Sequence, residues 1–275
     1  MRIIPITKMS GTGNDFVMVD NRQGLLKEAE ISKFVAAVCP RRISAGADGA
    51  ILVEPATQPG HDFRMRYYNA DGGEAEMCGN GSRCIAVFAY KLGAAGREQK
   101  IQTVAGTLHA SVPEDGRSAK VRLSQPSTLE VKENVDVLGA KRDLYCMNTG
   151  VPHAVEYCQD VSKIEIKPRG AAIRYHEVFK PKGTNANFVQ LLGNNEIRLR
   201  TYERGVEDET LACGTGATAC AIVTGLVHGY ASPVRVHIAS GDVLTIHFEL
   251  KDKTSAPPLL EGAVTTVYKG EFYWE

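Results

Sequence analysis

Glu74-Ala-Glu-Met-Cys-Gly-Asn-Gly81 and Glu209-Thr-Leu-Ala-Cys-Gly-Thr-Gly216 are one pattern written twice, 209 − 74 = 135 residues apart. Outward from this pair the echo continues. Phe63-Arg-Met-Arg-Tyr-Tyr68 lines up with Ile197-Arg-Leu-Arg-Thr-Tyr202, at 197 − 63 = 134. Gly46-Ala-Asp-Gly-Ala-Ile-Leu-Val53 lines up with Gly183-Thr-Asn-Ala-Asn-Phe-Val-Gln190, at 183 − 46 = 137. Gly13-Asn-Asp-Phe-Val-Met-Val19 meets Gly150-Val-Pro-His-Ala-Val-Glu156 at the same offset, and Gly106 meets Gly241 at 135. Any one match is weak, but five in one order at nearly one offset are not chance. The offset is close to half of the 275 residues, so this is a duplicated domain-sized unit and not a short-period solenoid.

Each half reads as α/β (α+β). Alternating segments at Phe63–Tyr68, Val121–Leu123, Ile197–Tyr202 and Val234–Ile238 are expected strands, and Glu28–Val38 is an expected amphipathic surface helix. Ile85–Tyr90 and Ala217–Val227, after the two Cys-Gly patterns, are apolar nearly all round, as a buried helix is. The expected architecture is two homologous halves related by a pseudo-two-fold. Each is a curved sheet wrapped around a central buried helix, with the active site in the cleft between them. The halves are expected at 1–125 and 126–262, joined near Gln125-Pro-Ser-Thr128, with 263–275 returning to the first half as an edge strand.

Lys+Arg and Asp+Glu are both 32, so the formal net charge is zero and the basic footprint of a nucleic-acid binder is missing. No stretch approaches the roughly 18 apolar residues of a membrane span. The opening Met1-Arg-Ile-Ile-Pro-Ile lacks the apolar core of a signal peptide. Seven cysteines, an odd number at low density, suit a reducing compartment better than a disulfide scaffold. The expectation is a soluble cytoplasmic protein without nucleic-acid or membrane partners. A homodimer is admitted but not decided.

Cys78 and Cys213 each sit where a glycine-flanked turn enters the central helix. The first N–H groups of a helix lack internal partners and bind anions. The same dipole favours a thiolate, so a lowered thiol pKa is expected there. Cys39, Cys84, Cys146, Cys158 and Cys220 lack that context and read as core. The spacings Cys78–Cys84 and Cys213–Cys220 do not suit zinc, and Gly79-Asn-Gly81 lacks the rest of a phosphate loop. A Cys/His hydrolase would leave the second thiol idle. Inversion of a carbon centre needs two: one base can return a proton only to the face it came from, so a second group must deliver on the opposite face.

These residues resemble the diaminopimelate epimerase family over nearly the whole chain. The likeness rests on Gly11-Thr-Gly-Asn-Asp-Phe16, Asn69-Ala-Asp-Gly72, Met77-Cys-Gly-Asn-Gly-Ser-Arg-Cys84, Pro152-His153, Thr184-Asn185, Glu203-Arg-Gly205 and Glu209–Ala217. It implies a cofactor-independent, metal-free isomerase acting on diaminopimelate, in lysine and peptidoglycan synthesis. Cys213 is implied as proton acceptor and Cys78 as donor in the LL-to-meso direction. The resemblance implies that Gly79-Asn80 and Gly214-Thr215 grip the α-carboxylate. It implies that Asn14, Asn69, Asn185 and Arg204 hold substrate, and that Glu203 and His153 bind the amine or tune the thiols. Asn80, where proline racemases typically carry His, favours the epimerase. Val151 and Gly49 stand where some members carry Asn and Gln, which removes polar contacts from the distal arm. An extra residue, compared with some members, lies between Arg204 and Cys213. The alternatives are racemisation of another amino acid on this scaffold and a non-catalytic amino-acid-binding module.

Overall fold

The computed structural model describes residues 1–75 and 78–274; Met77 of the first pattern lies outside the described residues. β1 (Arg2–Gly11) and β2 (Asn14–Asp20) form an antiparallel hairpin closed by Thr12-Gly13, both in the left-handed region at φ 52° and 98°. The chain continues through α1 (Glu28–Val38), β3 (Gly49–Glu54), β4 (Phe63–Asn69), β5 (Glu74–Ala75), α2 (Gly79–Lys91), β6 (Glu98–Thr103), β7 (Gly106–Ser111) and β8 (Ser118–Arg122). It then runs through β9 (Glu130–Val137), β10 (Ala140–Asn148), β11 (Pro152–Tyr157), α3 (Ile166–Arg174), β12 (Asn185–Gly193), β13 (Glu196–Glu203), β14 (Asp208–Thr210) and α4 (Gly214–His228). Last come β15 (Val234–His237), β16 (Val243–His247), the short β17 (Leu250–Lys251) and β18 (Thr254–Ser255), β19 (Leu259–Ala263) and β20 (Thr265–Trp274).

Two compact units result, Met1–Val121 with Gly262–Glu275, and Arg122–Glu261. In the first, β1 pairs antiparallel with β2, β2 parallel with β3, β3 antiparallel with β4, β4 parallel with β6, and β6 antiparallel with β7. In the second, β10, β11, β12, β13, β15 and β16 repeat that series in the same senses. The duplication seen in the residues is thus a duplication of topology.

Side chains alternate across a strand, so each sheet presents two apolar faces. Val17, Val19, Ala50 and Leu52 pack against Ile31, Phe34, Val35 and Val38 of α1, which recur at helical spacing. Phe16 and Ile51, next to these in β2 and β3, reach the start of α2, where a Cβ added to Gly81 would meet both. α2 is buried from Asn80 to Ala89 and packs on β1, β2, β3 and β7. In the second unit α3 packs on β12 and β13 around Ile166 and Ile173. There α4, buried from Gly216 to Gly225, packs on β10–β13, β15 and β16.

Strand β20 pairs with β1 from Arg2–Trp274 to Ser10–Thr265. It fills in the first unit the place that β9 fills beside β10 in the second. Phe272 and Trp274 stand edge-on to Phe34, with ring centroids 5.6 and 5.7 Å away. One expected strand is shifted: β8 starts at Ser118 and ends at Arg122, because the Leu123 N–H turns to the Pro258 carbonyl. Among the described residues no helix is long and apolar enough to cross a membrane.

Candidate active site

In the first unit the site grows from the start of α2. Cys78 is extended (φ −140°, ψ 120°) and caps the helix, its half-buried Sγ accepting from the Gly81 N–H at 3.5 Å. The N–H groups of Gly79 and Asn80 open the same turn, where helix donors lack intrahelical acceptors. Gly11 lets the β1–β2 hairpin lie against this turn: a Cβ there would stand 2.8 Å from the Asn80 carbonyl and 2.9 Å from the Cys84 sulfur. Asn80 Nδ2 donates to Asn14 Oδ1 at 2.7 Å, and Asn14 Nδ2 donates to Asp48 Oδ2 at 2.9 Å. Arg83, fully buried, donates to Asn80 Oδ1 at 2.9 Å and to the Thr12 hydroxyl. Arg41 spans Asp48 and Asp15, and Lys8 reaches Asp15 at 2.7 Å. Burial pushes the Asp15 carboxyl up, but hydrogen bonds from Arg41 and Lys8 outweigh it and hold the pKa at about 2. Asn69 stands apart from this network, exposed at the end of β4, with Oδ1 accepting from the Tyr67 hydroxyl at 2.8 Å. At Gly49 a side chain would run into the Tyr68 carbonyl and the Tyr67 ring. This glycine therefore marks a close strand approach with no room for a longer residue, not merely a missing contact.

The second unit repeats the helix start. Cys213 is extended (φ −130°, ψ 104°) ahead of α4, with its Sγ 3.5 Å from the Thr215 hydroxyl. Thr215 Oγ1 lies 3.0 Å from His153 Nε2, and the Thr149 hydroxyl donates to the Thr215 carbonyl at 2.9 Å. Asn185 lies 3% exposed; its Oδ1 accepts from the Arg204 N–H at 2.8 Å and its Nδ2 donates to the Pro152 carbonyl at 2.9 Å. The Arg204 guanidinium donates to the Lys182 carbonyl at 3.2 Å and borders a cavity of about 470 Å³. Gly150, Pro152, Phe179, Lys180 and Lys182 share that lining, so an apolar wall meets a cationic rim.

The expected lowering of the Cys213 pKa is not found. Burial pushes this thiol up to about 11 and the Glu203 carboxylate adds to the rise. The Thr215 hydroxyl and the N–H groups of Gly216 and Thr215 pull the other way without prevailing. The helix-terminus argument is right in sign, but desolvation of the sulfur is the larger effect. Glu203 is itself shifted up by burial. His153, 1% exposed, is held down at about 3 by burial and the nearby Arg204 charge, and is neutral. Among the other cysteines, Cys39, Cys84 and Cys220 are buried as expected, whereas Cys146 and Cys158 are half-buried at the margin of the α3 core. Among the described residues no group of three or more His, Cys, Asp or Glu is arranged to hold a metal ion.

The geometry therefore groups Asn14, Asn80 and Cys78 in one unit, and Cys213, Thr215, His153, Asn185, Glu203 and Arg204 in the other. Sequence reasoning missed Asp48, Arg83, Thr149 and Asn187. The signal for Asn187 was available: an amide in the middle of the apolar run Ala-Asn-Phe-Val needs a buried partner.

A duplicated α/β unit with a glycine-flanked cysteine at the tip of each buried helix is an arrangement suited to an isomerase, and the comparisons with known proteins bear that class out. Solved structures with a similar fold include a phenazine biosynthesis protein of the PhzF family from Bacillus anthracis, with TM-score 0.70 at 15% identity over all of both chains. A probable proline racemase from Agrobacterium radiobacter gives TM-score 0.67 at 14% identity, over 99% of this chain and 93% of that one. At such identity they show the fold alone. The diaminopimelate epimerase family model matches residues 6–129 and 145–267. The diaminopimelate epimerase of Aquifex aeolicus is 48% identical, over 96% of this chain and 95% of its own length. That of a Hydrogenobaculum species is 42% identical, over 98% and 99%. The chain belongs to the diaminopimelate epimerase family.

Proposed function

We propose that this chain interconverts LL-2,6-diaminopimelate and its meso form by two-base proton transfer at the α-carbon, and that Cys78 and Cys213 serve opposite faces of that carbon. In the LL-to-meso direction the Cys213 thiolate takes the α-proton. The electron pair delocalises into the carboxylate, and the Cys78 thiol delivers a proton to the other face. The reverse reaction exchanges the two roles. The N–H groups of Gly79-Asn80 and Gly214-Thr215 hold the α-carboxylate, where negative charge grows during the reaction. Asn14, Asn69 and Asn185 orient the polar ends, and Glu203 meets the ammonium. Arg204, with its forked donors beside a cation-rimmed cavity, takes the distal carboxylate. The supporting observation is the pair of cysteines that each cap a buried, glycine-started helix, one per repeat.

α-Hydrogen exchange in heavy water tests this directly. Cys213→Ser is expected to abolish exchange from the LL isomer and retain it at the D centre of the meso isomer. Cys78→Ser is expected to reverse that preference. Equal exchange from both isomers in both variants would rule out one thiol per face, and no exchange by the native chain would leave a binding module. The proposal extends to a cytoplasmic homodimer, on the exposed β20 edge with Val267 and Tyr273 uncovered; sedimentation equilibrium at a monomer mass would remove that part.

A further inference from the structure

Five side chains of the second unit form a directed hydrogen-bond chain whose last acceptor is the Cys213 sulfur. Thr201 Oγ1 donates to Asn187 Oδ1 at 3.0 Å. Asn187 Nδ2 faces the Ala154 carbonyl at 3.1 Å, and a carbonyl can only accept. The amide is therefore fixed with its nitrogen toward Ala154 and its oxygen toward Thr201. The same Nδ2 lies 3.2 Å from His153 Nδ1. Nδ1 must accept from it, and so carries no proton. His153 is neutral and buried, so its one ring proton sits on Nε2. Nε2–H donates to Thr215 Oγ1 at 3.0 Å, which leaves the Thr215 hydroxyl to turn its own hydrogen to Cys213 Sγ at 3.5 Å. The assembly is cramped: a Cβ on Gly216 would stand 2.7 Å from Asn187 Oδ1, 3.2 Å from Cys213 Sγ and 3.3 Å from His153 Cε1.

We infer that Asn187, braced by Thr201, is a positioning residue that fixes His153 as its Nε2–H tautomer, so that Thr215 donates to the Cys213 sulfur. The direction of the chain carries a chemical consequence. A histidine beside a cysteine ordinarily suggests a base that takes the thiol proton. Here the only ring nitrogen able to reach the cysteine side already bears a proton, and the other is occupied by Asn187. The Cys213 proton must go to substrate or solvent, and the array favours the thiolate by donation. Bonds donated in one direction along a buried chain strengthen one another. Burial and Glu203 from β13 raise the Cys213 thiol, the Cys213 sulfur in turn raises that of Cys220 in α4, and Arg204 lowers His153; burial and Glu203 set the absolute Cys213 pKa, while the chain sets its change on substitution.

The tautomer follows from geometry, and its catalytic meaning rests on Cys213 as an acid–base group. Nitrogen-15 NMR of the native chain reads the tautomer without turnover, so it stands or falls separately from the diaminopimelate reading. A protonated Nε2 and a bare Nδ1 on His153 are expected between pH 5 and 8, and a protonated Nδ1 overturns the inference. In Asn187→Asp the carboxylate accepts from Nδ1–H instead, so the ring tautomer is expected to flip. Iodoacetamide labelling of Cys213 at fixed pH is expected to slow by about tenfold while that of Cys78 is unchanged. Thr215→Val, which adds no charge, is expected to reproduce the slower Cys213 labelling. Native labelling rates in both variants would also overturn the inference.

Discussion

At Cys213 the N–H groups of Thr215 and Gly216 and the Thr215 hydroxyl favour the thiolate, while burial and the Glu203 carboxylate favour the thiol. With the balance at about 11, this centre rests protonated at neutral pH. On the proposed two-thiol mechanism, Cys213 is thus ready to donate in the meso-to-LL direction, whereas abstraction from the LL isomer first requires loss of its proton. Alkylation of Cys213 in the free protein is expected to accelerate about tenfold per pH unit up to about 11, read by mass spectrometry of the labelled peptide. A plateau beginning below pH 9 would contradict a raised thiol. Glu203→Gln removes the charge that adds to the rise, so the same titration is expected to move to lower pH in that variant. If it does not, the carboxylate acts on substrate alone.

Helix α4 can begin where it does because Gly216 leaves room for three neighbours at once. Gly216→Ala is expected to cost about 1–3 kcal/mol of stability, since the methyl group must displace the Asn187 oxygen or the Cys213 sulfur. Exchange from the LL isomer is expected to fall more than exchange at the D centre of the meso isomer. A variant with native stability and native exchange would show that the packing yields freely. At this scale the residues were informative where a period or a glycine carried the message. Glu28–Val38 is α1 to the residue, and the apolar runs after the two Cys-Gly patterns are α2 and α4. The paired patterns announced paired topology, because each strand–helix order is repeated with its spacing. What could not be read was partnership across sequence distance. Asn14 meets Asp48, and Asn187 meets His153, only because a parallel strand pairing aligns their elements. The thiol pKa was likewise misjudged, because burial of the sulfur depends on packing that no local pattern encodes.

Across the whole molecule, acid is expected to destabilise the fold in two windows. His153 has a folded pKa of about 3 against 6.5 unfolded, so its contribution is complete above pH 6.5. It is lost as pH falls toward 3, at about 1.4 kcal/mol per unit, because only the unfolded chain takes up the proton. Asp15 follows, its contribution present above 3.8 and lost as pH falls toward about 2. Denaturant titrations from pH 7 to 4 are expected to slope accordingly, and His153→Gln to flatten that slope; an unchanged slope would mean the imidazole titrates normally. Epimerase activity is expected to survive exhaustive dialysis against chelator with no pyridoxal absorbance, and restoration by metal or pyridoxal phosphate would refute a two-thiol mechanism. The pairing of β20 with β1 has a further consequence, in time. A ribosome that has reached Val121 must still add 264 − 121 = 143 residues before β20 begins. At roughly 5–20 residues per second that is about 7–30 seconds. Through that interval the nascent β1 has β2 on one side but lacks β20 on the other, and Phe34 lacks its two aromatic neighbours, so the half made first is the half completed last.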